Sequence, residues 1–346
     1  MRRLFTSFCL LVFVVALLAI AGGLWWLHEP MLLKLPAGAQ VLDLEIEPGT
    51  RAMTVAELIV ASGADVPVSL LKTWFRVSGQ ARQIRAGSYE ITPDTTPRRL
   101  LSMLVRGEEA LKSVTIVEGW NFGQVRAALQ KAEHLTPDSI GLQPDLIMEK
   151  LGKPGIHPEG RFFPDTYSYA KGSSDLGVLR RAARAMDRRL DAAWSLRNND
   201  TPLTSPEQAL ILGSIIEKET GKPSDRAQIG GVFSNRLRIG MPLQTDPTVI
   251  DGLGAQFNGN LRRRDLQADT PYNTYTRSGL PPTPIAMPGL ASLRAAVQPD
   301  ATSALYFVAR GDGSSIFSDD LAAHNRAVNQ YQRKRPGKPG ASTSPP

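Results

Sequence analysis

Two glutamates close an otherwise aliphatic run. The stretch "SPEQALILGSIIEKET" ends on Glu217 and Glu219, separated by Lys218. A carboxyl set among apolar side chains loses hydration, which disfavours its anion and raises its pKa. That is what a general acid working near neutral pH requires. Helical period decides which glutamate is so placed. At ~100° per residue, Ala209, Leu212, Ile215 and Ile216 form one apolar stripe, and Glu219 falls in its middle. Glu217 falls on the flank, beside Leu210 and Gly213, and Lys218 points away from both. Periodicity favours Glu219 as the catalytic acid, with Glu217 as the alternative. A plainer reading competes, in which a last-turn glutamate bends into solvent or pairs with Arg226 or Arg236.

The loops downstream are rich in hydrogen-bonding groups. "GMPLQTDPTVIDGLG" and "DTPYNTYTRSGLPPTPIAMPG" offer Gln244, Thr245, Asp246, Asn273, Thr274, Tyr275 and Thr276 in segments stiffened by Pro and Gly. Tyr272, Tyr275 and Phe257 add flat apolar faces. Neutral polar groups alternating with aromatic rings suit a carbohydrate, which carries hydroxyls at its edge and C–H bonds on its face. Turn chemistry explains any single Asn or Asp here, but not their density.

Other chemistries find little support. The four histidines (His28, His134, His157 and His324) lie far apart, and Cys9 is the only cysteine. Neither a metal site nor a disulfide framework is expected. No glycine-rich phosphate loop occurs, so no cofactor is expected. The net charge of +7 calls for an anionic partner, either a membrane or an acidic wall polymer. Nucleic acid is not expected, because no basic cluster is interleaved with aromatics.

The elements that must position these residues follow from local signals. Ser205 is a helix cap, Pro206 opens the helix, and Gln208 completes a capping box. Residues 40–107 read as a small α+β unit. Leu42, Leu44 and Ile46 alternate with acids as a half-buried strand does. "TVAELIVASG" and "SLLKTWFRVSG" read as helices, and Thr95 or Thr96 caps another that begins at Pro97. A second, larger unit runs over 113–332 and includes a basic helical stretch from Leu176 to Arg197. Residues 333–346 carry no apolar content and are expected to be disordered.

Before these units, residues 4–27 contain no charge. As a helix they would reach about 36 Å, against a hydrocarbon core of about 30 Å. Trp25 and Trp26 would sit at one interface, and residues 1–3, with Arg2 and Arg3, would stay cytoplasmic. "AIAG" at 19–22 imitates a signal-peptide cleavage site. The apolar run continues beyond it, so an uncleaved anchor is expected, with residues 28–39 as a connector and the remainder outside the cytoplasm.

Five segments together, "SIIEKET", "FSNRLRIGMPLQTDPTVIDGLG", "YNTYTRSGLPPTPIAMPG", "PEGRFFPDTY" and "LYFVARGDGSSIFSDDLAAHN", resemble the YceG-like family of endolytic murein transglycosylases. The resemblance covers nearly the whole chain, in the family's order. It implies an α+β fold with a single N-terminal transmembrane helix, a small LysM-like glycan-binding unit over 40–107 and a larger catalytic domain over 113–332. It further implies a lyase, bound to the inner membrane and facing the periplasm. Such an enzyme cuts the MurNAc–GlcNAc β-1,4 bond within peptidoglycan strands and leaves 1,6-anhydro-MurNAc ends, terminating nascent strands. The family's glutamate aligns with Glu219. Gln244, Thr245, Asp246, Asn273, Tyr275 and Glu159 become candidates for positioning substrate, while Asp165 braces the fold. Implied partners are the glycan strands, the inner membrane, and the peptidoglycan synthases and division or elongation machinery. The rival reading is a non-catalytic, membrane-anchored, peptidoglycan-binding scaffold.

Overall fold

Alternating burial of Leu42, Leu44 and Ile46 forms strand β1 (Leu42–Ile46), the pattern of a strand with one face on a core. The computed structural model describes residues 2–35 and 40–333, without the side chains of 2–6, 8, 9 and 333. Expectations for Met1, for part of the 28–39 connector and for nearly all of the 333–346 tail lie outside the described residues. The chain divides into two compact units. One comprises Met1–Lys112 with Ser168–Gly172, and the other Ser113–Tyr167 with Ser173–Pro346.

In the first unit, helix α1 (Arg2–Trp26) precedes β1. Its described apolar side chains are exposed as far as Trp25, Leu18 being 67% and Trp25 68% exposed, while Trp26 packs partly against the core of the unit. Among the described residues no helix is long and apolar enough to cross a membrane. The span expected over 4–27 includes positions whose side chains are not described. Strand β1 pairs antiparallel with β2 (Gly87–Ile91), Leu44 opposite Tyr89. Against this ribbon pack α2 (Ala52–Ser62), α3 (Val68–Val77) and α4 (Pro97–Arg106), which contribute Val55, Ile59, Leu71, Phe75, Leu100 and Leu104 to one core. Thr96 caps α4, accepting from the Arg99 N–H, with Pro97 at the first position, as its hydroxyl and ring predict. The Lys171 ammonium pairs with Asp43 and, at 3.3 Å, with Glu90.

Two short strands, β3 (Leu111–Thr115) and β4 (Thr166–Ala170), lie where the chain passes between units. The second unit is mainly helical. It contains α5 (Phe122–Lys131), α6 (Pro144–Lys150), α7 (Asp175–Ser195), α8 (Pro206–Glu219), α9 (Arg226–Arg238), α10 (Asp246–Leu253), α11 (Arg263–Gln267) and α12 (Leu290–Val297). An antiparallel hairpin, β5 (Tyr306–Ala309) and β6 (Ser315–Ser318), and α13 (Leu321–Val328) complete it. The architecture is mixed α+β, with small two-stranded sheets among many helices.

Helix α8 is the axis of this unit, packed by α7, α9, α10 and α12. The expected single stripe is too narrow a description. Leu210, Ile211, Gly213 and Ser214 are buried as well as Ala209, Leu212, Ile215 and Ile216, so the helix is covered all round until its last turn. Each large aliphatic side chain so buried contributes ~1.5–3 kcal/mol. Ser205 caps the helix, accepting from the Gln208 N–H. The Gln208 side chain accepts instead from the N–H and hydroxyl of Thr204. The reciprocal capping box therefore does not form, the return bond reaching one residue further back. At the other end Thr220 turns extended and its hydroxyl donates to the Ile216 carbonyl, which stops the helix at Glu219.

Two glycines allow this packing. Gly213 faces Leu293 of α12, and a Cβ at Gly230 of α9 would overlap the Ala295 carbonyl of α12. Gly230→Ala is expected to force α9 and α12 apart and lower stability by about 1–3 kcal/mol, read as a fall in unfolding midpoint in urea.

Candidate active site

Glu219 is the last residue of α8 and is half-buried, so its carboxyl is removed from bulk water but still reachable. Its Oε1 accepts a hydrogen bond from the Thr245 hydroxyl. Burial raises its pKa above the ordinary glutamate value; the Thr245 bond opposes this, Asp246 adds to it and Arg236 opposes it. Placement at a helix C-terminus works in the same direction as burial, because the dipole there disfavours an anion.

Thr245 is held for this contact. It precedes α10 in the cap position, yet its hydroxyl makes no cap bond and turns to Glu219 instead. Its N–H donates to Thr274 Oγ1 at 3.1 Å and its carbonyl accepts from the Thr248 hydroxyl at 2.8 Å. The preceding residue, Gln244, is exposed and adopts φ +50°, a region few non-glycine residues occupy. Its N–H donates to the Thr274 carbonyl at 3.0 Å. Asp246, also exposed, accepts from the Tyr275 hydroxyl at 2.6 Å. Burial raises the Tyr275 phenol far above its ordinary value, with the Asp246 bond next in effect.

Asn273 holds the loop that supplies these partners. It is wholly buried. Its amide donates to the carbonyls of Asp265, Leu266 and Ala268, and its Oδ1 accepts from the Tyr275 N–H. Gln244, Thr245, Asp246 and Tyr275 thus gather at the end of α8, while Asn273 shapes the loop from behind.

Glu217 is placed quite differently. The flank on which periodicity set it is occupied by protein, and its side chain is only 7% exposed. One oxygen accepts from the Gly289 N–H at 2.9 Å, at the start of α12, and the other lies 3.6 Å from Arg226. It ties helices together. Arg226, considered above as a partner of Glu219, pairs with Glu217.

Glu159 is buried, and one oxygen accepts from the Phe122 N–H at 3.0 Å. Burial raises its pKa to about 7; the Phe122 bond opposes, and Asp251 adds to the rise. Asp251 of α10 is itself raised to about 6 by burial, opposed by Lys218, whose ammonium donates to the Gly119 carbonyl at 3.3 Å. Sequence reading singled out neither Asp251 nor Lys218 for the site, and it offered Arg236 only as an ion-pair partner for a last-turn glutamate. Arg236 is 6% exposed, donating to the Leu305 and Leu243 carbonyls at 2.7 and 2.6 Å beneath the Tyr306 ring. Its helical spacing from Ile229, Val232 and Phe233, on the buried face of α9, was the available signal. Among the described residues no cluster of His, Cys, Asp and Glu could hold a metal.

These placements separate the carboxyls experimentally. Glu217→Ala strands Arg226 and the Gly289 N–H and is expected to reduce stability by about 2–3 kcal/mol. Glu219→Gln removes a charge that burial disfavours and should not lower the melting temperature at pH 7. For Glu159, folding raises the pKa, so its stabilising effect is complete below the unfolded value and is lost as pH climbs through about 7. Wild type should therefore lose up to about 3 kcal/mol relative to Glu159→Gln between pH 4 and pH 8 in paired urea titrations.

The endolytic murein transglycosylase of Bacillus subtilis is 29% identical over 309 residues, covering 84% of each chain. That of Streptococcus pneumoniae is 25% identical over 361 residues, and the match spans 94% of this chain and 65% of the streptococcal protein's length. A crystal structure of a YceG-like protein from Listeria monocytogenes superposes with a TM-score of 0.53 at 27% identity, over 83% of this chain and 98% of that one. The pattern of the YceG-like family matches residues 44–330, and the chain belongs to that family.

Proposed function

We propose that this chain is an endolytic peptidoglycan transglycosylase with Glu219 as its single catalytic acid and base. One observation carries the reading: a half-buried carboxyl, raised by burial and held by the Thr245 hydroxyl, at the end of the central helix. Relatives named endolytic murein transglycosylase support the substrate class.

In this mechanism the protonated Glu219 gives its proton to the glycosidic oxygen between MurNAc and GlcNAc as the C1–O4 bond breaks. The resulting carboxylate then takes the proton of the muramic C6 hydroxyl, whose oxygen closes onto C1. The products are a strand with a GlcNAc O4 hydroxyl and a strand ending in 1,6-anhydro-MurNAc. No water is consumed, and no second carboxylate is needed, unlike hydrolytic glycosidases. Thr245 and Arg236 both favour the anion, which serves the second half of the cycle. Gln244, Asp246 and Tyr275 present polar groups to the glycan, and Asn273 and Glu159 brace the loops around them.

The exposed apolar surface of α1 supports anchoring in the inner membrane through residues 4–27, with the catalytic domain, 113–332, in the periplasm. Residues 40–107 would act as a LysM-like glycan-binding unit. Cutting within new strands there would terminate their elongation beside the synthases and the division or elongation machinery.

Digestion of purified sacculi tests the chemistry. Glu219→Gln should lose at least about a hundredfold in rate while still co-sedimenting with sacculi, and wild type should release anhydro-ended products by mass spectrometry. The wild-type rate should fall as pH rises through the ionisation of Glu219, above the ordinary glutamate range. Anhydro ends formed by Glu219→Gln at the wild-type rate would remove the assignment. Reducing ends would indicate a hydrolase, and binding without either product a scaffold.

A further inference from the structure

A polar recess opens at the far end of α10 from the acid. It has a volume of about 110 Å³ and is lined by Gln256, Asn258, Asn260, Arg262 and Arg264, with Leu253 and Asp265 beside them. Helix α10 links it to the acid. Its first residue, Asp246, is next to the Thr245 hydroxyl that holds Glu219, and its last, Leu253, lines the recess. At ~1.5 Å per residue the two ends stand roughly 10 Å apart along the axis.

One loop builds both places. Thr274 holds Thr245 beside the acid, and the neighbouring Asn273 amide clasps the carbonyls of Asp265, Leu266 and Ala268 behind the recess. Gly252 of α10 packs against Tyr272 of the same loop. The recess therefore cannot shift far without disturbing the grip on Glu219.

The charge at the two ends is opposite. The carboxyl of Asp246 lies beside the acid at one end, whereas Arg262 and Arg264 line the recess at the other. The Asp265 carboxylate accepts from the Arg262 N–H at 2.9 Å and lies 3.5 Å from Arg264 Nε, so it offsets part of the Arg264 charge. Among the described residues no acid pairs with the Arg262 guanidinium. A planar guanidinium flanked by side-chain amides matches a carboxylate.

We infer that this recess binds a carboxylate of the peptide carried on the lactyl ether of a muramic residue, and so selects peptide-bearing strands over bare glycan. The inference rests on the lytic reading above and adds to it the form of strand that is preferred. A bare strand offers hydroxyls and amides and no anion for Arg262 unless the lactyl acid is freed. A strand with intact peptides offers carboxylates spaced along its length, within reach of a sugar seated at Glu219.

The test compares cleavage of intact glycan–peptide strands with cleavage of strands from which the peptides have been trimmed and the lactyl acid capped as its amide. Using the full-length chain in detergent, kcat/KM is measured on both and expressed as a ratio, which cancels differences in the folded fraction between preparations. Wild type should favour peptide-bearing strands. Arg262→Ala/Arg264→Ala should lower the ratio about tenfold, and Arg262→Lys/Arg264→Lys should lower it by about threefold, because the charge is kept while the planar fork is lost. A ratio unmoved by the double alanine variant overturns the assignment, as does a lysine variant that falls as far as the alanine one. Failure of wild type to form anhydro ends on either substrate would instead overturn the lytic reading beneath it.

Discussion

The desolvation of one carboxyl at the end of a helix covered on every side is the constraint on which the rest depends. Burial disfavours the Glu219 anion and raises its pKa. Two contacts oppose it, the Thr245 hydroxyl and the Arg236 guanidinium, and both favour the anion. Arg236 is itself anchored on the Leu305 and Leu243 carbonyls, so its charge is fixed in place rather than free to swing into a full ion pair. The carboxyl is therefore raised by burial against two contacts that favour its anion. Under the proposed mechanism, a group that first gives a proton and then takes one back draws on both influences.

The contrast with Glu217 shows that burial is necessary without being sufficient. Two residues back along the chain, Glu217 is also enclosed, yet it finds a backbone N–H at Gly289 and a cation at Arg226. Those partners satisfy its charge and make it a brace between α8 and α12. Glu219 meets a neutral hydroxyl and only a distant share of Arg236. The same helix turn thus carries one carboxyl braced by a backbone N–H and a cation and another raised by burial, and the partners decide which is which.

Much of this was legible in the residues themselves. Ser205 and Pro206 announced the start of α8, Thr96 and Pro97 that of α4, and the alternation of Leu42, Leu44 and Ile46 gave a strand, because each signal is local and acts through neighbours in the chain. What could not be read was tertiary. Periodicity assigns a face to a side chain but cannot say what covers it, so the flank of Glu217 looked open until Gly289 was found there. Asn273 read as a sugar ligand because its amide is polar; its three carbonyl partners lie within eight residues, but only the fold of the loop turns them inward. Arg236 read as an ion-pair partner for a last-turn glutamate, although its spacing on α9 already put it among apolar neighbours.

Several locally unfavourable features of the second unit lie close together, although His134 takes a left-handed backbone elsewhere in it. Gln244 adopts a left-handed backbone, Thr245 forgoes the cap bond its position invites, and Glu219, Glu159 and Asp251 are acids raised by burial. Each costs stability, and Gln244, Thr245 and Glu219 meet at the end of α8, with Asp251 on the helix that Thr245 precedes. Strain and desolvation persist where the surrounding packing over-determines them. The tight packing of α8 against α9 and α12, permitted by Gly213 and Gly230, supplies that surplus behind Glu219.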